Sequence, residues 1–115
     1  MRRGEIRWVD LNPARGSEAG KVRPAVVVSN DGANATAERL GRGVITVVPV
    51  TSNVERVYPF QVLLEALDTG LERTSKAQAE QIRSVPVDRL GKQVGQVPAA
   101  VMTQLEDAIR LHLAL

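Results

Sequence analysis

Before its final eighteen residues the chain never sustains a long helical pattern: its apolar residues come in short, mostly β-branched runs, each closed by turn-forming residues. The strongest is Val44-Ile45-Thr46-Val47-Val48, bracketed on its N-terminal side by Gly41 and Gly43, with Pro49 expected to end or bulge it. Ala25 to Val28 is continuously apolar, as in a buried strand. Glu5 to Leu11 reads as a first strand with Ile6, Trp8 and Asp10 on one face, stopped by Asn12-Pro13. A long loop to Val22 follows, and Pro24 biases Arg23 toward extended backbone. Ser29 to Gly32 is turn or cap chemistry, with a short helix expected through Arg39. Phe60 to Leu64 resumes as a strand. Lys76 to Glu80 fits a strand with one polar face, Gln81 to Val85 a turn of helix, and Val94 with Val97 a last short strand.

From Pro98 to Leu115 the period changes. Proline suits the first helical turn, and Val101, Leu105, Ala108, His112 and Leu115 then share a face. That stripe is wide enough to meet either a deep core or a second subunit. Aromatics are only 3 % of 115 residues, so Val, Ile, Leu and Ala must fill the core. The expectation is one domain over residues 1–115, mainly β with some helix (α+β): a small β-barrel with short helices and a long C-terminal helix.

Several chemistries fall away on composition. With no cysteine there is neither a disulfide framework nor a thiolate zinc site, and the single histidine, His112, rules out two-histidine acid–base catalysis. No carboxylates are spaced as a metal cluster, so no metal or other cofactor is expected. The net charge is only +2, yet twelve of the fifteen cations are arginines, the better phosphate fork. The basic N-terminal stretch has no apolar segment behind it, and no run is suited to cross a bilayer. A cytoplasmic protein without a membrane partner is therefore expected, and the Asn34-Ala35-Thr36 sequon carries no weight.

The informative stretch is Gly16-Ser17-Glu18-Ala19-Gly20-Lys21-Val22-Arg23-Pro24-Ala25-Val26-Val27-Val28. A glycine-containing loop presents a carboxylate and two cations, then runs straight into a buried strand with Arg23 at the rigid end. This segment resembles the MazF/PemK toxin family. The first strand Gly4-Glu5-Ile6-Arg7-Trp8-Val9-Asp10-Leu11 has the family form, and three further blocks follow in order: Val48-Pro49-Val50-Thr51-Ser52, Tyr58-Pro59-Phe60-Gln61-Val62, and Glu80-Gln81-Ile82-Arg83-Ser84 with Asp88-Arg89-Leu90.

The resemblance implies an SH3-like barrel and a homodimer that cleaves single-stranded RNA at short motifs. It also implies a cognate antitoxin whose acidic disordered tail fills the RNA groove, with operator DNA reached only through that antitoxin. The family reaction is attack by a ribose 2′-OH on its own phosphate, giving 2′,3′-cyclic phosphate and 5′-hydroxyl ends without a metal. By match to the family, Arg23 is the catalytic arginine and Thr51 the hydroxyl that donates to the same phosphate. Arginine is a poor acid or base near neutrality, so charge stabilisation is its expected role. Glu18 is a candidate base or orienting group, and Gln81 is suited to reading a base edge. Ser17, Lys21, Asn30, Ser52, Arg56, Arg73, Ser75 and Arg83 are looser RNA-contact candidates; His112 reads as a packed or interface side chain.

Two features depart from the family: Arg7 stands where relatives commonly carry an aromatic side chain, and Lys76 to Ala79 is more polar than usual. Two rival readings remain at this level. One is a gyrase-poisoning toxin of the CcdB kind, which shares the fold; the C-terminal tryptophan-glycine-isoleucine segment of those toxins has no counterpart in Leu111-His112-Leu113-Ala114-Leu115. The other is a non-catalytic co-repressor that only binds antitoxin and operator.

Overall fold

The computed structural model describes residues 1–12, 16 and 21–115. Seven strands run in the order β1 (Glu5–Asp10), β2 (Val22–Val27), β3 (Val44–Thr51), β4 (Gln61–Leu64), β5 (Ser75–Gln78), β6 (Arg83–Pro86) and β7 (Leu90–Gln96), with helices α1 (Asp31–Leu40), α2 (Ala66–Thr69) and α3 (Ala99–Leu113) between or after them. The pairings are antiparallel, in the order β4-β5-β3-β2-β1-β7, with β6 beside β3. This is the expected mainly β barrel with a long C-terminal helix, left open between β4 and β7.

The continuous apolar runs are explained by burial on both faces. In β2, Val26 belongs to one core cluster while Ala25 and Val27 belong to another. In β3, Val48 and Val50 alternate in the same way with Ile45 and Val47. A strand with water on neither side gains nothing from a polar face. Met102, Leu105 and Ala108 of α3 close the first cluster, and Ala37 of α1 joins the second.

Four expectations need correction. Pro49 neither ends nor bulges β3: it pairs in register with Ala25, and the strand continues to Thr51. On its other edge β3 pairs with β6 through Val47 and with β5 from Val50 onward. Pro49 falls at that change of partner, where its missing N–H costs no ladder bond on that edge. The expected helical turn at Gln81 to Val85 is a 3-10 turn at Ala79–Gln81 followed by strand β6. The polar face expected from Lys76 to Glu80 is not solvated, because Lys76 is buried and Gln78 and Glu80 are half-buried. Finally, α3 buries only its middle, leaving Leu111, His112, Leu113 and Leu115 exposed, so of the two expectations for His112 the packing within this chain is the one overturned, not the place at an interface.

Candidate active site in a groove at the strand ends

The β2–β3 register pairs Val27 with Val47, Val26 with Val48 and Ala25 with Pro49. Continued by two residues, it sets Arg23 across from Thr51 at neighbouring strand ends. On the far side of β2, Arg23 pairs with Val9 and Pro24 with Trp8 of β1. Arg23 and Thr51 thus lie two residues past the last recorded β2–β3 pair, each held by its other neighbour, Val9 for Arg23 and Lys76 for Thr51.

Both line one groove of about 650 Å³. Trp8, Pro24 and Val50 give it apolar surface. Gly70, Leu71, Glu72 and Arg73, which follow α2, form one wall; Lys92, Gln93 and Val94 of β7 form another; Ser52 and Ser75 complete it. Arg23, Arg73 and Lys92 oppose the single carboxylate of Glu72, a charge balance suited to a polyanion. Arg23 is half-buried, as a guanidinium held at a fixed position should be. The Thr51 hydroxyl oxygen accepts the Asn53 N–H at 3.2 Å, which leaves its own O–H able to donate.

The two walls come close because two glycines meet. A Cβ on Gly70 would lie 3.8 Å from the Gly95 Cα, and one on Gly95 would lie 2.4 Å from the Thr69 carbonyl oxygen. The Ser75 hydroxyl donates to the Arg73 carbonyl at 2.9 Å, steadying the first wall from within. Beyond the groove, buried Lys76 donates from Nζ to the Arg56 carbonyl at 2.6 Å and lies 5.8 Å from the centre of the Tyr58 ring. The Gln61 side chain accepts the Tyr58 N–H at 3.1 Å and donates to Glu80 at 2.6 Å. The 52–60 loop is thus tied down from β4 and β5.

Of the residues singled out in the sequence, Arg23, Thr51, Ser52, Arg73 and Ser75 meet at the groove. Glu18 and Ser17 lie outside the described residues. Asn30 does not line the groove; it caps α1, accepting the Ala33 N–H at 2.8 Å. Arg83 is likewise occupied structurally, donating to the Leu11 carbonyl at 3.2 Å. Lys21 adopts left-handed backbone (φ 67°) where the chain enters β2, its N–H bound to the Asn12 side chain at 2.8 Å. Arg56 is exposed on the 52–60 loop, and half-buried Gln81 ends the 3-10 turn; neither lines the groove. Sequence reasoning missed Trp8, Glu72, Lys92 and Gln93 as groove residues. An aromatic on a strand face was the one available signal, and for the others there was none.

Residues 2–113 match the family described as PemK-like, MazF-like toxin of type II toxin–antitoxin systems. The chain belongs to the PemK/MazF-like toxin family. Among curated members, it is 69 % identical over 115 residues to "Endoribonuclease MazF9" of Mycobacterium tuberculosis H37Rv, covering all of this chain and 98 % of that one. It is 31 % identical over 116 residues to "Endoribonuclease EndoA" of Bacillus subtilis 168, covering all of this chain and 96 % of that one. Among solved structures, MazF from Deinococcus radiodurans superimposes with a TM-score of 0.81 at 28 % identity, over all of this chain and 97 % of that one. A mycobacterial endoribonuclease in complex with its cognate antitoxin gives a TM-score of 0.79 at 25 % identity, over all of this chain and 96 % of that one. Among the described residues of this PemK/MazF-like chain, no group of three or more His, Cys, Asp or Glu is placed to hold a metal ion, and no helix is long and apolar enough to cross a membrane.

Proposed function

We propose that this chain, an endoribonuclease of the PemK/MazF-like toxin family, cuts single-stranded RNA by making the substrate attack itself. The 2′-oxygen of one ribose forms a bond to the adjacent phosphorus while the P–O5′ bond breaks. The products are a 2′,3′-cyclic phosphate and a 5′-hydroxyl end. Because the nucleophile belongs to the RNA, the protein has two tasks: to align the backbone in line and to neutralise charge building on the phosphate oxygens. Neither task needs a metal.

The observation that carries this reading is the meeting of Arg23 and Thr51, from neighbouring strands, on one cationic groove. The guanidinium offers a two-pronged donor to the non-bridging oxygens. The threonine hydroxyl, already accepting from Asn53, donates its proton to the same phosphate. Glu18 is the candidate base for the 2′-OH proton, and O5′ leaves as an alcohol once protonated by Arg23 or solvent. Arg73 and Lys92 guide the flanking phosphates.

The same surplus of cations suits an acidic segment of a cognate antitoxin, which would exclude RNA from the groove. The exposed apolar end of α3 is suited to pairing two copies as a homodimer, operator DNA is reached only through the antitoxin, and the setting is the cytoplasm. Arg23→Ala should lose cleavage of single-stranded RNA in chelator while keeping fold and oligomeric state. An RNA with deoxyribose at the cut position should resist the wild-type protein. Efficient cutting of that substituted strand would overturn the cyclising mechanism.

A further inference from the structure

We infer that Trp8 is the platform on which one nucleobase of the RNA stacks, next to the phosphate held by Arg23; this rests on the nuclease reading above. Trp8 is the only tryptophan of the chain and stays 42 % exposed although it shares a strand with fully buried Ile6 and Val9. The cause lies in the sheet. Between the Arg7–Gln93 and Val9–Leu90 pairs the β1–β7 register slips by one, so Gly91 and Lys92 together oppose Trp8. Such bulges re-aim side chains and are common beside active sites. Gly91 brings no side chain to cover the indole: a Cβ there would already lie 3.5 Å from the Trp8 Cβ.

On the other flank Trp8 pairs with Pro24, the residue after Arg23. The indole and the Arg23 guanidinium line the same groove, together with Lys92 and Arg73. A flat apolar surface bordered by cations is what an unstacked base with its phosphates requires. Among the described residues the indole N–H has no hydrogen-bond partner, so an edge donor is available beside the face. An aromatic placed only to fill the core would have neither the exposure nor the neighbouring cations.

The test uses the full chain and a labelled RNA spanning a site that the wild type cuts, made uncleavable by deoxyribose at that position. Excited where tyrosine does not absorb, Trp8 alone reports. RNA should quench it with the same midpoint that anisotropy of the label gives. Trp8→Ala should raise Kd and KM about ten- to hundred-fold, the range expected for one lost base stack, with kcat changed less than about threefold. Trp8→Phe should recover most of the loss. The proposal falls if saturating RNA leaves the wild-type emission unchanged, or if emission follows protein concentration instead, which would place Trp8 between subunits. It falls equally if Trp8→Ala binds like wild type. The wild-type titration needs no variant, so a misfolded Trp8→Ala does not spoil it. If the wild type cuts no RNA at all, the nuclease reading fails on its own, and the same titration with a labelled, unmodified single-stranded RNA of mixed sequence still judges Trp8.

Discussion

Replacing Gly95 with alanine would press on the contact that sets the groove's width. The added Cβ would lie 2.4 Å from the Thr69 carbonyl oxygen, about 0.6 Å inside the closest approach that Cβ atoms normally make, and 3.3 Å from Ile6 Cδ1. Neither side yields easily. Gly95 pairs with Ile6 in the β1–β7 ladder, and Thr69 is buried at the end of α2, its hydroxyl bound to the Glu65 carbonyl at 2.9 Å. Overpacking of this kind costs about 1–3 kcal/mol. Gly95 does not have positive φ, so alanine also removes unfolded-state freedom, offsetting about 0.4–1 kcal/mol of that cost. The expected net loss is about 0–2.6 kcal/mol, read against the Gly91 control as a lower urea midpoint with unchanged slope. Gly91→Ala is the control on the same strand: the new Cβ would make ordinary contacts at 3.4 and 3.5 Å, so only the unfolded-state gain of about 0.4–1 kcal/mol is expected there. Because the wall from Gly70 to Arg73 begins directly after Thr69, relief of the clash should also move that wall away from Lys92 and raise KM for RNA. Equal urea midpoints for the two variants would show that the walls do not approach as closely as described.

Thr51→Val keeps the shape of the side chain and removes the hydroxyl. It should lower the single-turnover cleavage rate about 10²–10³-fold, while Thr51→Ser stays close to wild type. Lys76→Met should release the Arg56 carbonyl and the Tyr58 ring; mapping 5′-hydroxyl ends should then show a broader set of cut motifs, with the rate on the best motif altered less than the motif spread. Asp31 accepts the Arg3 backbone N–H at 2.7 Å, the main reason its carboxyl titrates below the ordinary 3.8; desolvation opposes this, and Asn34, Arg2 and Arg3 add to the lowering. A carboxylate with a depressed folded pKa stabilises above its unfolded value, and that contribution is lost as pH falls through the folded one. Wild type should therefore exceed Asp31→Asn in urea midpoint near neutrality, with the gap closing as pH drops below 3.8.

The strands and the proposed reactive pair, Arg23 and Thr51, were legible in the sequence for different reasons. Ala25 to Val28 and Val44 to Val48 are apolar without alternation because both faces are buried, a local pattern with a direct structural cause. Arg23 and Thr51 were singled out through family resemblance, and both line the groove at neighbouring strand ends. Pro49 was misread because its tolerance depends on a change of strand partner that no local pattern records. Lys76 alternates like a solvated residue, yet its ammonium finds a carbonyl and an aromatic ring inside the fold. Glu72, Lys92 and Gln93 reach the groove only because two glycines far apart in sequence let a loop settle against β7. Asn30 and Arg83 look like contact residues in sequence but are spent on a helix cap and a carbonyl.

Arg23 and Thr51 sit within β2 and β3, whereas residues 52–60 and 70–73 beside them belong to connecting segments. Substitutions and length changes in connections leave a hydrogen-bonded ladder in place. The groove can therefore change its outline by substitution in these connections while the two strand ends that carry Arg23 and Thr51 stay where the sheet puts them.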